Sequence, residues 1–443
     1  MIAAPEYEYR IPNNENDSMP NSLHLSRRTL LTGIAAAAGA STVKSLAAER
    51  DQQGGSAVQA GRRDVIVIGA GVFGAWTAWH LLKLGRKVLL LDAWGPAHAR
   101  ASSGGESRMT RTVYGRDEIY TRFAWESLDE WRWLSGRSGL PIFHPTGVVF
   151  FFGRREPYAT QAIEVHQRVG IPLDVLERAE LAKRFPQIAW EGVEFGLYEP
   201  DRGVLMARRA VQTLVQEFVA AGGEYAQAAI LPPKPDASFD SIRTADGGSF
   251  SATRFVFACG PWLPKVFPEV LGQRIFPTRQ EVFFFAPEGG DTRFEPAHLP
   301  GWADFNDGDI FYGMPDLESR GFKIAHDQHG APIDPDVGDR TPSAKGIADV
   351  REYLKRRFPA LADRPLVESR VCQYENSSNG DLLIDRHPQW DNVFLVGAGS
   401  GHGFKHGPAV GRYAAQLANG TNKNIEPRFS LQSKAAQQRR DVH

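Results

Sequence analysis

Cysteine is nearly missing from this chain: Cys259 and Cys372 are the only two in 443 residues. Two thiols cannot build a disulfide framework, and at most one bridge is open to them in an oxidising compartment. Net charge is nearly missing as well. Lysine and arginine total 51 against 52 acidic residues, so no global field draws the chain to nucleic acid or to anionic lipid. The apolar stretch Thr32–Ala40 is too short to span a bilayer. No internal repeat or long low-complexity tract is present. No spacing of His, Cys, Asp and Glu suits a metal, and no Ser/His/Asp hydrolase signature is found. What is there is a globular composition, 42% hydrophobic and 23% charged, in a chain long enough for two or more folded units.

The N-terminal segment reads differently from the rest. Residues 1–22 are polar and rich in Asn and Pro. Ser26-Arg27-Arg28-Thr29-Leu30-Leu31 follows, then the mild apolar run, then Ser45-Leu46-Ala47 with the small-x-small look of a cleavage site. Residues 1–47 have the pattern of a twin-arginine export signal, and residues 48–61 that of a flexible linker. The alternative is an Ala-rich tail with a chance arginine pair. Translation could start at Met1 or at Met19. The expectation is export of a folded, cofactor-loaded protein to the periplasm or another extracytoplasmic space, with the export machinery as a partner.

Val65–Ile68 is a continuous β-branched run and predicts a buried parallel strand. It leads into Gly69-Ala70-Gly71-Val72-Phe73-Gly74. Phe73 to Leu84 has helical character with Gly85 as a stop, and Lys87–Leu91 predicts a second strand ending in Asp92. Gly69 permits a tight turn, Gly71 lets backbone approach a pyrophosphate, and Gly74 lets the helix lie close to the strand. The helix N-terminus offers unpaired N–H groups and a positive dipole end to the phosphates. Asp92 can accept hydrogen bonds from ribose hydroxyls. A lone Gly-x-Gly-x-x-Gly is a weak signal; strand, turn, helix, strand and terminal acid in succession are a strong one. The turn by itself leaves FAD and NAD both open.

Two further motifs narrow the choice: Ala101-Ser102-Ser103-Gly104-Gly105-Glu106-Ser107-Arg108-Met109-Thr110-Arg111, and Gly397-Ala398-Gly399-Ser400-Gly401-His402-Gly403-Phe404-Lys405-His406-Gly407-Pro408. With Phe257-Ala258-Cys259-Gly260-Pro261-Trp262, Tyr312-Gly313, Lys323 and Cys372-Gln373-Tyr374, the chain resembles the D-amino-acid-oxidase superfamily over roughly residues 62–420. Within it, the chain is most similar to the monomeric sarcosine and N-methyltryptophan oxidases.

The resemblance implies an α/β fold, α+β overall. It has a Rossmann-like FAD-binding domain built from separated segments (62–147, 200–265 and 365–425) and a mostly antiparallel-sheet substrate domain (148–199 and 266–364), followed by a tail, 426–443. The residues agree with this: 148–152, 281–285, 310–312 and 322–325 read as strands, 207–221 as a helix, and 254–258 and 392–396 as strands of α/β type.

The resemblance also assigns roles. FAD would be held by Gly69, Gly71, Val72, Phe73, Gly74, Asp92, Ser103, Arg108, Gly399, Gly401, Gly403, Phe404 and Lys405. Cys372 would attach it covalently; read on its residue type alone, Cys372 is a buried free thiol. Arg111 and Lys405 would bind a substrate carboxylate. Lys323 would lie over the flavin face and assist oxygen reduction. Tyr312 would line the pocket, and Arg108 would neighbour the flavin. A helix from Pro408 to about Leu417 would point its N-terminus at the flavin pyrimidine. His402 and His406 read as loop histidines and Cys259 as packing.

The chain departs from sarcosine oxidases at Gly104 and Asp327, where the family has pocket histidines. The expectation there is a larger pocket and a substrate larger than sarcosine, with a basic or polar extension. The implied reaction is FAD-dependent oxidation of the C–N bond of an amino acid, a secondary amine, with O2 reduced to H2O2, by a monomer. The alternatives are an amino-acid dehydrogenase passing electrons to a quinone or carrier protein and, more remotely, a non-catalytic flavin-binding protein.

Overall fold

The strand Arg63–Ile68 alternates its side chains between two cores, which is why every one of its apolar positions is β-branched. Val65 and Val67 face one core with Trp76, Leu214, Phe218 and Val410; Ile66 and Ile68 face another with Phe255, Phe257, Phe267 and Leu395. The computed structural model describes residues 63–234, 238–305, 308–328 and 330–436. The expected export signal and linker lie outside the described residues.

Arg63–Ile68 sits between two parallel neighbours, Ser249–Phe257 and Val88–Asp92. Val393–Gly397 and Glu224–Gln227 extend this sheet in parallel, and the antiparallel strands Leu383–Arg386 and Ser241–Arg243 complete it at seven. The helix Val72–Lys83 packs on the sheet with Ala207–Ala220 and Gly407–Asn419. This is the Rossmann-like layer expected from the sequence.

A second sheet has eight strands. In spatial order they are Leu366–Ser377, Ile275–Phe285, Phe322–His326, Phe311–Met314, Gly301–Asp304, Val148–Phe152, Phe195–Glu199 and Asp174–Glu177. All pairs are antiparallel except Gly301–Asp304 with Val148–Phe152. Alternation again divides the faces. Val149 and Phe151 join a core with Trp302, Phe322 and the helix Ala344–Arg357, whereas Phe150 and Phe152 face Ala303, Phe305 and Ile310. Beneath that helix Arg357 pairs with Asp304 at 3.1 Å, both 1% exposed, and Tyr353 donates to the same carboxylate at 2.9 Å. A small sheet of Ser107–Thr110, Gly203–Met206 and Phe143–His144 carries Arg108 and leads to Arg111.

Two expected boundaries need correction. Residues 365–377 do not join the nucleotide sheet. The strand Leu366–Ser377 pairs along its length with Ile275–Phe285, so Cys372 belongs to the eight-stranded sheet. The supposed tail is docked as far as it is described. Phe429 is fully buried in the core of the nucleotide layer. Arg428 donates to Asp117 and Asp381 at 2.7 Å each, and the buried Lys434 donates to the Arg428 carbonyl at 2.7 Å. Polar composition hid the single buried aromatic that anchors the segment. Phe429→Ala should therefore cost about 3–5 kcal/mol in denaturant unfolding, whereas a solvated tail would lose almost nothing.

Candidate active site

The turn after Arg63–Ile68 shows why three glycines are needed. Gly69 has φ +103°, and a Cβ there would lie 2.3 Å from the Ala258 carbonyl oxygen. A Cβ on Gly74 would lie 1.8 Å from the Gly69 oxygen. Gly71 differs: its Cβ would meet only Ser103 Oγ, at 3.5 Å, and otherwise point into open space. Gly71 is thus kept free for something that approaches the backbone, while Gly69 and Gly74 are demanded by the fold itself.

The space beside Gly71 is a cavity of about 350 Å³ lined by Gly69, Phe73, Asp92, Trp94, Ser103, Ala229, Glu375, Gly399 and Gly403, among others. Asp92 is oriented by three backbone N–H groups: Ala70 at 2.8 Å, and Trp94 and Gly95 at 2.9 Å each. The helix Val72–Lys83 has no side-chain cap from Gly71, and its Val72 N–H donates to Ser103 Oγ at 3.0 Å. Phe73 lies against Gly403, where a Cβ would come within 2.7 Å of the ring, so the two glycine-rich turns meet face to face.

A second cavity of about 500 Å³ adjoins the first. Ala101, Arg108, Cys372, Tyr374, Gly401 and Phe404 line both. The second alone is lined by Arg111, Tyr312, Lys323, Asp327 and Lys405. The structure therefore brings the expected site residues together around these adjoining cavities, except Gly74, which lines neither and packs against Gly69 and Ala258 instead. The helix start beside Gly71, the open face of Gly71, the fixed Asp92 and the extension of the space past Cys372 all suit an elongated dinucleotide such as FAD.

The chemistry of the second cavity is set by buried basic side chains. Lys323 is 2% exposed and donates to the Ser107 carbonyl at 2.8 Å and to Ser107 Oγ at 3.3 Å. Lys405 is 4% exposed and donates to Tyr114 Oη and the His402 carbonyl, both at 2.6 Å. Burial, then a neighbouring arginine (Arg108 for Lys323, Arg111 for Lys405), holds both amines well below the ordinary lysine value. Arg111 donates to the Val113 carbonyl and stacks its guanidinium 3.9 Å above the Tyr114 ring. Arg108 donates to Ser107 and Ser102 carbonyls at 2.8 and 2.7 Å and lies 3.5 Å from Cys372 Sγ. Tyr312, Tyr374 and Asp327 form a short chain, 3.5 Å between the hydroxyls and 3.2 Å to the carboxylate. Burial, then Asp327, pushes the Tyr312 phenol up to about 12.

Some features escaped the sequence reading. Tyr114 and the two histidines beside Lys405 form a buried network, although His402 and His406 read as plain loop residues. Glu375 lines the first cavity, and burial pushes its carboxyl up to about 8 against the pull of the Ala398 and Gly399 N–H groups. Its place directly after Tyr374, on the opposite face of the same strand, was the available signal. Gly104 needs correction: a Cβ there would strike the His98 carbonyl oxygen at 2.1 Å, so it is small for backbone packing rather than to enlarge the cavity. Cys259 matches its packing role; its thiol contacts the Ile68 carbonyl at 3.6 Å, and burial pushes it up.

Residues 64–417 match the family of FAD dependent oxidoreductases. The chain belongs to that family. It is an enzyme, and FAD is its cofactor. It is 31% identical over 393 residues to a monomeric sarcosine oxidase of Arthrobacter sp. (strain TE1826), covering 86% of this chain and 98% of the relative. It is 29% identical over 373 residues to an N-methyl-L-tryptophan oxidase of Citrobacter koseri, covering 83% and 96%. Among solved structures, L-proline dehydrogenase from P. horikoshii superposes with a TM-score of 0.71 at 19% identity, over 84% of this chain and 97% of that one. That likeness speaks for the fold alone.

The glycines of this family member separate cofactor from scaffold. Gly71→Val should leave the apoprotein folded, with a melting temperature within a few degrees of the parent, yet prevent FAD loading. Gly74→Val should lose the fold as well. Circular dichroism melting and flavin absorbance of the purified variants check both.

Proposed function

We propose that this enzyme oxidises the C–N bond of an N-methyl or other N-alkyl amino acid and passes the electrons to O2, giving H2O2. The observation that carries this reading is the burial of Arg111 and Lys405 on one tyrosine, Tyr114, in the cavity that shares Cys372 with the dinucleotide site. A guanidinium and an amine on one wall suit a carboxylate. When bound, FAD supplies the acceptor for the hydride of the carbon that bears the nitrogen.

The chain's own residues do the rest. Arg111 and Lys405 fix the carboxylate and so orient the amine. Met109, Phe150, Val282, Phe284, Phe305 and Ile310 wall the cavity with apolar surface and exclude water from it. Asp327, held by Tyr374, offers a carboxylate to a polar group or to the substrate nitrogen. Lys323, fixed on Ser107, offers an N–H to negative charge developing on reduced oxygen. Cys372, on the wall common to both cavities, is the residue we propose for covalent attachment. The imine product leaves and is hydrolysed in water. Large, mostly apolar walls favour a substrate bulkier than sarcosine.

Anaerobic mixing with sarcosine, N-methyl-L-phenylalanine and N-methyl-L-tryptophan tests the proposal. The visible flavin band should bleach, and admitted air should restore it with one H2O2 per substrate. Arg111→Gln should lower kcat/KM about 10- to 100-fold, and Lys323→Met should slow reoxidation roughly 100-fold. Bleaching followed by slow reoxidation of the parent enzyme would favour a dehydrogenase, and no bleaching by any of the three would overturn the amine-oxidation reading.

A further inference from the structure

Lys405 sits at the end of a hydrogen-bond chain whose direction can be worked out. The Gly380 carbonyl, 3.1 Å from His402 Nε2, can only accept. In a neutral His402 the proton is therefore on Nε2, and Nδ1 accepts. Tyr114 Oη lies 3.2 Å from that Nδ1 and 2.7 Å from His406 Nε2. His406 is held neutral, by burial first and by Lys405 next, and its Nδ1 has no partner among the described residues. A buried N–H without an acceptor costs about 1–3 kcal/mol, so the His406 proton resides on Nε2 and points at Tyr114. The phenol oxygen then accepts from His406 and from Lys405, and its own proton goes to His402. With Lys405 as the ammonium, the order is Lys405 to Tyr114 to His402 to the Gly380 carbonyl.

This order limits Lys405. Two of its Nζ positions are taken, by Tyr114 Oη and by the His402 carbonyl. Its main chain is pinned as well, since Trp131 Nε1 donates to the Lys405 carbonyl at 2.8 Å. The third position is left for the cavity that Lys405 lines. The neutral amine has one N–H fewer and no charge to draw a carboxylate. In the ammonium that position is an N–H, which binds one.

We propose that Tyr114 and His402 are positioning residues for Lys405, forming a one-way hydrogen-bond chain that aims its third Nζ position at the cavity, so that a carboxylate binds there with uptake of one proton from water. The proposal rests on the reading of Lys405 as a carboxylate-binding residue. The groups that face Lys405 are Arg111, Tyr114, Glu199, Asp327, His402 and His406. Arg111 keeps its charge, and burial moves Tyr114 up and His406 down, away from neutral pH. A lysine held below its ordinary value is charged below its pKa and loses its charge as pH rises through it, so carboxylate affinity is present at low pH and lost at high pH.

The test is acetate binding to the FAD-loaded enzyme, followed by the flavin visible spectrum between about pH 6 and pH 10. In the parent, affinity should fall about tenfold per pH unit above a midpoint lower than that of free lysine. Tyr114→Phe removes an acceptor of the ammonium and should move the midpoint at least about one pH unit lower, with the low-pH affinity within about threefold of the parent. If that variant fails to load FAD, His402→Leu, which removes the acceptor of the phenol proton, should move the midpoint the same way. A parent affinity that does not change with pH, or variants that lose affinity equally at every pH, would overturn the chain. Lys405→Met separates the two readings: acetate binding that survives it would overturn the carboxylate role itself, whereas binding lost in Lys405→Met but an unmoved midpoint in Tyr114→Phe would overturn the chain alone.

Discussion

The site depends on the antiparallel pairing of Leu366–Ser377 with Ile275–Phe285. These two strands keep one register from Ile275 opposite Ser377 to Phe284 opposite Glu368. The pairing carries the strand out of the eight-stranded sheet until Glu375 and Ser377 reach the turn that follows Val393–Gly397. There the Glu375 carbonyl accepts from the Ser400 N–H at 2.9 Å, and the Ser377 N–H donates to Ser400 Oγ at 3.2 Å. The same strand holds the loop before Ser107–Thr110, through Ser102 Oγ to the Gln373 carbonyl at 2.8 Å and Gln373 Nε2 to the Arg100 carbonyl at 2.6 Å. Cys372 comes directly before those attachments. A one-residue slip would turn Cys372 and Tyr374 to the opposite face and part the two cavities.

The second constraint is electrostatic. Lys323 and Lys405 are buried, and the hydrogen bonds they donate all go to uncharged oxygens. Burying charge without an anionic partner is costly, and the fold has answered the same problem differently elsewhere, pairing Arg357 directly with Asp304. Amines left without a carboxylate in a cavity are an arrangement that a bound anion relieves. On the function proposed above, a substrate carboxylate in the second cavity would recover part of that cost.

Much of this was legible in the sequence. The β-branched run before Gly69 announced a strand buried on both faces, and the aromatic runs at 148–152 and 281–285 announced the second sheet. Short motifs with strict backbone needs also showed themselves, because a Cβ at Gly69 or Gly74 has nowhere to go. Three things stayed hidden, each for a physical reason. Leu366–Ser377 joins the second sheet through a partner far away in sequence, which local pattern cannot reveal. Phe429 anchors its segment through a single side chain, too little to produce a periodic signal. Tyr114, His402 and His406 act through a three-dimensional junction of a loop with a helix start, and as residue types they looked ordinary. Gly104 was misjudged because its small size answers to the His98 carbonyl rather than to the ligand.

The central proposal is that Cys372, on the wall common to both cavities, attaches the flavin covalently. Acid precipitation of the purified enzyme tests this most directly. The account predicts a yellow pellet from the parent, and a colourless pellet under a yellow supernatant from Cys372→Ser. A parent that releases all of its flavin into the supernatant would contradict covalent attachment through Cys372.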